Sequence, residues 1–160
     1  METIHDALKK HPFLTGFSDD IIEKLIPISE HKNFSENEII FRQGTNAYNF
    51  YLVDTGLLSV GFDPKLHSPV NIQQITDGEV LGWSWLIPPY HWQFDAKAVE
   101  ESKTIMLDAV KLRQMFEFQH EIGYNFSRRI LQIVSKRLSA TRIQFWDIYK
   151  MHYLLEHNNL

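Results

Sequence analysis

Between Asp77 and Val99 the chain reads Asp-Gly-Glu-Val-Leu-Gly-Trp-Ser-Trp-Leu-Ile-Pro-Pro-Tyr-His-Trp-Gln-Phe-Asp-Ala-Lys-Ala-Val. Gly78 and Gly82 bracket a short apolar pair, an aromatic run follows, and the last residues alternate as a half-buried strand does. Glycine lets a backbone come close to a ligand, and free N–H groups at a helix N-terminus attract anions. The two glycines could therefore cradle a phosphate-bearing ligand. Such a ligand also needs a fixed cation. Between Gly78 and Ala98 there is no arginine, and the one cation, Lys97, is a flexible point charge rather than a two-pronged donor.

The stretch resembles the phosphate-binding cassette of the cyclic-nucleotide-binding-domain family, in which a Gly-Glu-Val-type turn opens a short helix and a loop returns into a strand ending near Ala98. The resemblance extends outward. His11 to Gly44, with His-Pro-Phe-Leu-Thr-Gly-Phe-Ser, a helical stretch and Asn-Glu-Ile-Ile-Phe-Arg-Gln-Gly, is similar to the family's opening helices and first strands, although Asn37 stands where glycine is usual. Asn49 to Val60 looks like the next hairpin, with Gly56 at its turn. Cover runs from Pro12 to Tyr149, and the Gly-Trp-Ser-Trp-Leu to Pro-Pro-Tyr variant looks like a distinct branch of bacterial Crp/Fnr-type proteins. The resemblance implies a ligand site over Gly78, Glu79, Val80, Leu81, Gly82, Trp83, Ser84, Trp92 and Gln93. It also implies that an arginine and a small residue belong where Trp92 and Gln93 stand, an acidic residue near Trp83, and a ligand-orienting role for Glu79. Two missing charge-assisted hydrogen bonds at roughly 1.5–3 kcal/mol each weaken binding by about 3–6 kcal/mol, or roughly two to four decades. Ordinary cyclic AMP recognition is not expected.

The expected fold is mainly β with flanking helices: a double-stranded β-helix, or jelly-roll barrel, with an N-terminal helix and a long C-terminal one. Residues 1–32 read as a helical segment, 33–108 as the β-roll with its cassette-like insert, and 109–160 as C-terminal helices. Ser18 and Asp19 can cap a helix through Ile21, Ile22, Leu25 and Ile26 that is checked near Pro27. From Asn33 to Leu107 short apolar runs are broken by turn signals such as Asp54-Thr55-Gly56 and Asp63-Pro64. With 160 residues, 44% of them hydrophobic, the chain can bury about 70% of its unfolded surface without staples. The absence of cysteine excludes disulfides, thiolate metal sites and thiol nucleophiles. No apolar run reaches the roughly 18 residues of a membrane span and no signal-peptide pattern opens the chain, so a cytoplasmic protein without membrane contact is expected.

The last helix carries a second pattern. Leu131, Val134, Leu138, Thr141, Phe145, Ile148, His152 and Leu155 follow alternating steps of three and four, the spacing of a coiled-coil seam. The first six are the candidate homodimer interface. A neighbouring stripe of Phe126, Ile130 and Ile133 faces the β-roll. Arg128, Arg129, Lys136, Arg137, Arg142 and Lys150 decorate the same helix and read as a solvated face. Only eleven residues follow Tyr149, fewer than the roughly 20 that two helices and a turn require. With a net charge of −4, specific DNA binding is not expected.

No histidine pair has metal-ligand spacing, Ser84 lacks the Gly-x-Ser-x-Gly elbow, and Glu79 with Asp95 has only position to commend it as a catalytic pair. The reading is a non-enzymatic regulatory module with no catalytic residue, metal or cofactor. It is either a sensor whose pocket, reshaped by Trp83, Trp85, Trp92 and Phe94, takes a small ligand unusual for the family, or a ligand-free dimeric adaptor acting on a protein partner. At least one of Trp83, Trp85 and Trp92 should lie in or against the volume that a nucleotide would occupy.

Overall fold

The computed structural model describes residues 2–62 and 70–157; the predicted turn at Asp63-Pro64 lies outside them. Helix α1 (Ile4–Lys10) starts where the Thr3 hydroxyl accepts the Asp6 N–H. Helix α2 (Asp19–Leu25) starts at Ser18, whose hydroxyl accepts the Ile21 N–H, and gives way at Pro27 to the 3-10 turn Ile26–Ile28. Both caps satisfy a donor that the first helical turn leaves unpaired.

Among the described residues eight strands form two four-stranded antiparallel sheets. In the first, β1 (Ser29–Phe34), β8 (Ser102–Asp108), β3 (Asn49–Thr55) and β6 (Val80–Leu81) lie in that order; in the second, β2 (Ile39–Phe41), β7 (Asp95–Ala98), β4 (Leu58–Phe62) and β5 (Val70–Ile75). The jelly-roll fold is as expected, with one qualification. No described strand pairs across from one sheet to the other, so hydrogen bonds do not close the roll into a barrel. Strand β1 also begins at Ser29, inside the stretch read as helical to residue 32. It is an edge strand with Glu30 to Asn33 exposed, so it carries no alternation to announce it.

Two turns depend on backbone that L side chains rarely adopt. Asn37, in the turn between β1 and β2, has a φ of 66°, and asparagine tolerates this region better than most residues. Gly56, between β3 and β4, has a φ of 118°, and a Cβ there would lie 2.2 Å from the Ser102 hydroxyl.

A single hydrophobic cluster joins the zones. Phe50, Leu52 and Ile105 from the first sheet meet Leu58, Ala96 and Ala98 from the second, and Leu8, Phe13 and Leu14 cover one end. Helix α3 (Ala109–Phe118), capped by the Asp108 carboxylate on the Lys111 N–H, leads into α4 (His120–His157). Phe126 stands edge-on to Phe13 at 5.5 Å, Phe126 and Ile130 are buried, and Ile133 packs on the core, so the predicted stripe does face the β-roll. At 38 residues and about 1.5 Å per residue, α4 is roughly 57 Å long. From Leu138 to His157 every residue is exposed.

Candidate functional site

The cassette keeps its glycine turns but not its helix. Gly78 and Gly82 have φ of 76° and 80°, conformations that favour glycine. After β6, residues 84–89 pass through consecutive turns, with Leu86 N–H on Trp83 O and Tyr90 N–H on Ile87 O. The expected short helix is absent because Pro88 and Pro89 lack N–H donors and the residue before proline is driven from helical geometry. Without the helix there is no helix N-terminus to receive a phosphate.

The close approach that each glycine permits is already taken within the chain. A Cβ at Gly78 would lie 2.9 Å from Pro12 Cγ, and the Gly78 N–H donates to Val53 O at 2.8 Å. A Cβ at Gly82 would lie 2.4 Å from the Trp92 ring. That indole, only 4% exposed, stacks on Phe41 with ring centres 3.7 Å apart and planes 4° from parallel. Trp85 is fully buried beside Phe50 and Phe116. Trp83 is half-buried at the rim. The aromatic residues thus turn inward, and the insert is pinned at both ends. Trp92 N–H donates to Thr45 O, Gly44 N–H to Trp92 O, and Ala47 N–H to Tyr90 O. Arg113 donates to Trp85 O at 2.7 Å and lies 4.0 Å from the Tyr90 ring centre.

What is left of the pocket is a cleft of about 80 Å³, far below the roughly 300–1,000 Å³ of small-molecule sites. Of the residues implied by the resemblance, Leu81, Gly82, Trp83, Ser84, Trp92 and Gln93 line it. Gly78, Glu79 and Val80 do not. Glu79 is exposed, and its carboxylate accepts the Thr76 N–H at 2.8 Å, closing the turn that leads into β6. Lys97 is excluded by strand alternation. Its neighbours Ala96 and Ala98 face the core, while Lys97 lines a groove on the opposite face with Ile39 and Asp95.

Arg137 at the cleft is the residue that sequence reasoning placed wrongly. Read as part of a solvated face, it instead reaches from α4 to donate to Val80 O at 2.7 Å, with its guanidinium 5.0 Å from the Trp83 ring centre. Burial lowers its pKa from the ordinary arginine value, and the nearby Glu79 charge opposes that shift. Arg129 is likewise not solvent-facing: it donates to the carbonyls of Phe13 and Thr15 and packs on the Phe17 ring. Arg128, Lys136 and Arg142 do face water. No local signal marks Arg137 as different; only the path of α4 past β6 reveals it. Phe41, Val60, Ile72 and Gln73 also line the cleft from strands distant in sequence.

Along the coiled-coil seam, Leu131, Leu138, Phe145 and Ile148 are exposed, Val134 packs on the domain's own core, and Thr141 lines a groove between α4 and β5. Among the described residues no group of three or more acidic, histidine or cysteine side chains could hold a metal, and no helix is long and apolar enough to cross a membrane.

A two-sheet jelly roll between N-terminal helices and a long C-terminal helix, with a glycine-turn insert at one wall, defines the architecture of cyclic-nucleotide effector domains. Residues 31–118 match the model of the cyclic nucleotide-binding domain, and the chain belongs to that family. A Geobacter metallireducens protein described as cyclic nucleotide-binding is 26% identical, with 79% of this chain and 91% of that one covered and a TM-score of 0.71. A cyclic nucleotide-binding domain from Methylobacillus flagellatus aligns at 17% identity over 90% and 81% of the chains, with a TM-score of 0.73. The catabolite activator protein of Thermus thermophilus aligns at 16% identity over 86% and 63% of the chains, with a TM-score of 0.65. No curated protein sequence matches.

Proposed function

We propose that this domain is a regulatory module that works without cyclic AMP or cyclic GMP, its nucleotide volume being filled by its own aromatic side chains, and that it acts as a dimer paired along α4. The observation that carries this reading is the Trp92 ring, stacked on Phe41 and pressed against Gly82. Three further features support it: the cassette has no arginine, no helix begins between residues 78 and 98, and Arg137 uses a donor on Val80 O. Calorimetric titration with cyclic AMP and cyclic GMP tests it. Dissociation constants no better than high micromolar are expected, and sub-micromolar binding of either would overturn the reading.

The presence of Arg137 and Trp83 at the cleft favours a second reading, in which a ligand much smaller than a nucleotide, aromatic and weakly anionic, enters between them. Native mass spectrometry of protein purified without additions separates the two. A retained small molecule supports the sensor, and a bare mass supports the self-filled module.

A further inference from the structure

The composition of α4 changes abruptly halfway along. Its three-and-four spacing places Leu131, Leu138 and Phe145 at the first core position of successive heptads, and Val134, Thr141 and Ile148 at the second. Over the first two heptads the flanks are polar, with Ser135, Ser139, Arg142 and Gln144 beside the seam. From Trp146 onward they are not. Trp146, Tyr149 and Tyr153 form a second apolar stripe, and all three are exposed. At about 100° per residue this stripe lies roughly 100° round the helix from the seam. That is close to the 90° between neighbouring contacts in a square bundle of four helices.

We propose that the distal part of α4, residues 143–155, forms a four-helix bundle with three other copies of this chain, joining two α4-paired dimers tail to tail. The proposal rests on the dimer reading above and extends it. Surface area favours it. Apolar side chains of this size bury about 150–250 Å² each. A two-stranded seam would leave Trp146, Tyr149 and Tyr153 in water, each about half exposed. They amount to roughly 300 Å² per chain, the size of the largest apolar patch on a typical soluble protein. Two dimers meeting through them would bury roughly 1,200 Å², the lower end of a standard specific interface.

Charge selects a second pair of copies as the occupant. Arg142 and Lys150 balance Asp147 and Glu156, and within the helix Lys150 lies 3.8 Å from Asp147 and His152 3.1 Å from Glu156. The arm is therefore close to neutral and can meet itself without repulsion. It lacks the lysine- and arginine-rich polar face of a membrane-surface helix. Tail-to-tail docking keeps the four β-rolls at opposite ends, where parallel packing would crowd them together.

Sedimentation equilibrium from 5 to 100 μM on the whole chain decides the matter, alongside the double variant Trp146→Glu/Tyr153→Glu. We expect the unaltered protein to have four times the chain mass and the double variant half of that, with the short-wavelength emission of the buried Trp85 and Trp92 kept, since both replaced side chains stand exposed on the arm. A native dimer at 100 μM overturns the bundle and leaves the dimer reading standing, whereas a native monomer overturns both. A tetramer that persists in the double variant overturns the assigned stripe. A dimer that co-sediments with vesicles of mixed neutral and anionic phospholipid identifies a membrane as the occupant and overturns the proposal.

Discussion

Trp92 decides the character of the pocket wall, because its buried ring stacks on Phe41 and presses against Gly82. Replacing it with alanine removes a nearly buried indole and leaves Phe41 and Gly82 facing a void. A loss of about 3–5 kcal/mol in unfolding free energy is expected from chemical denaturation; a loss under about 1 kcal/mol would show the ring to be an exposed lid. His11 makes a second prediction. It is buried, with Nε2 3.0 Å from Val53 O, while Nδ1 accepts the Phe13 N–H. The Nδ1 role requires a neutral ring that donates from Nε2. Burial pushes its pKa below the ordinary 6.5, against the opposing pull of Val53 O and Asp54. On acidification the unfolded chain binds this proton first, so its contribution is complete above about pH 6.5 and is lost as pH falls through the folded pKa. Urea midpoints should drop between pH 7.5 and 5.5, and drop less in His11→Gln. An equal drop in both proteins would count against this role.

Elements whose cause is local were legible in the sequence, and those whose cause is distant were not. Ser18 marked α2 because the cap and the helix it opens are adjacent, and the three-and-four spacing marked α4 because a helix repeats along itself. The glycine turns of the cassette were equally plain. The short helix after them was expected from resemblance, yet the chain's own Pro88-Pro89 spoke against it. Arg137 was illegible for another reason: its acceptor, Val80 O, lies 57 residues earlier and is met only when α4 crosses the sheet edge. Replacing Arg137 by leucine leaves that carbonyl without its donor and frees Trp83 from the guanidinium. A stability loss of about 1–3 kcal/mol is expected in thermal or urea unfolding. Arg137→Lys should recover only part of it, since a single ammonium cannot both reach the carbonyl and lie flat over the ring. Full recovery by lysine would mean that charge alone matters there.

The molecule as a whole is divided between a domain with a continuous core and an arm with none of its own. A lone helix of about 20 residues is marginal in water, because packing supplies most of a helix's stability. The stretch from Leu138 to His157 should therefore be fully helical only while associated. The far-ultraviolet helical signal should decline on dilution below the association range, while the near-ultraviolet signal of the core holds. A helical signal independent of concentration down to nanomolar protein would contradict this.

The placement of the four tryptophans gives these two parts separate optical signatures. Trp83, Trp85 and Trp92 sit in or against the β-roll, whereas Trp146 stands on the arm at 54% exposure. Shielded indoles emit at shorter wavelengths than wet ones. The difference in emission between the native protein and Trp146→Phe is thus the arm's own spectrum, and what is left belongs to the pocket wall. A blue shift confined to the first would record assembly, and a change confined to the second would record an opening of the cleft. One cuvette can thereby distinguish a signal that travels through the pocket from one that travels through the helix.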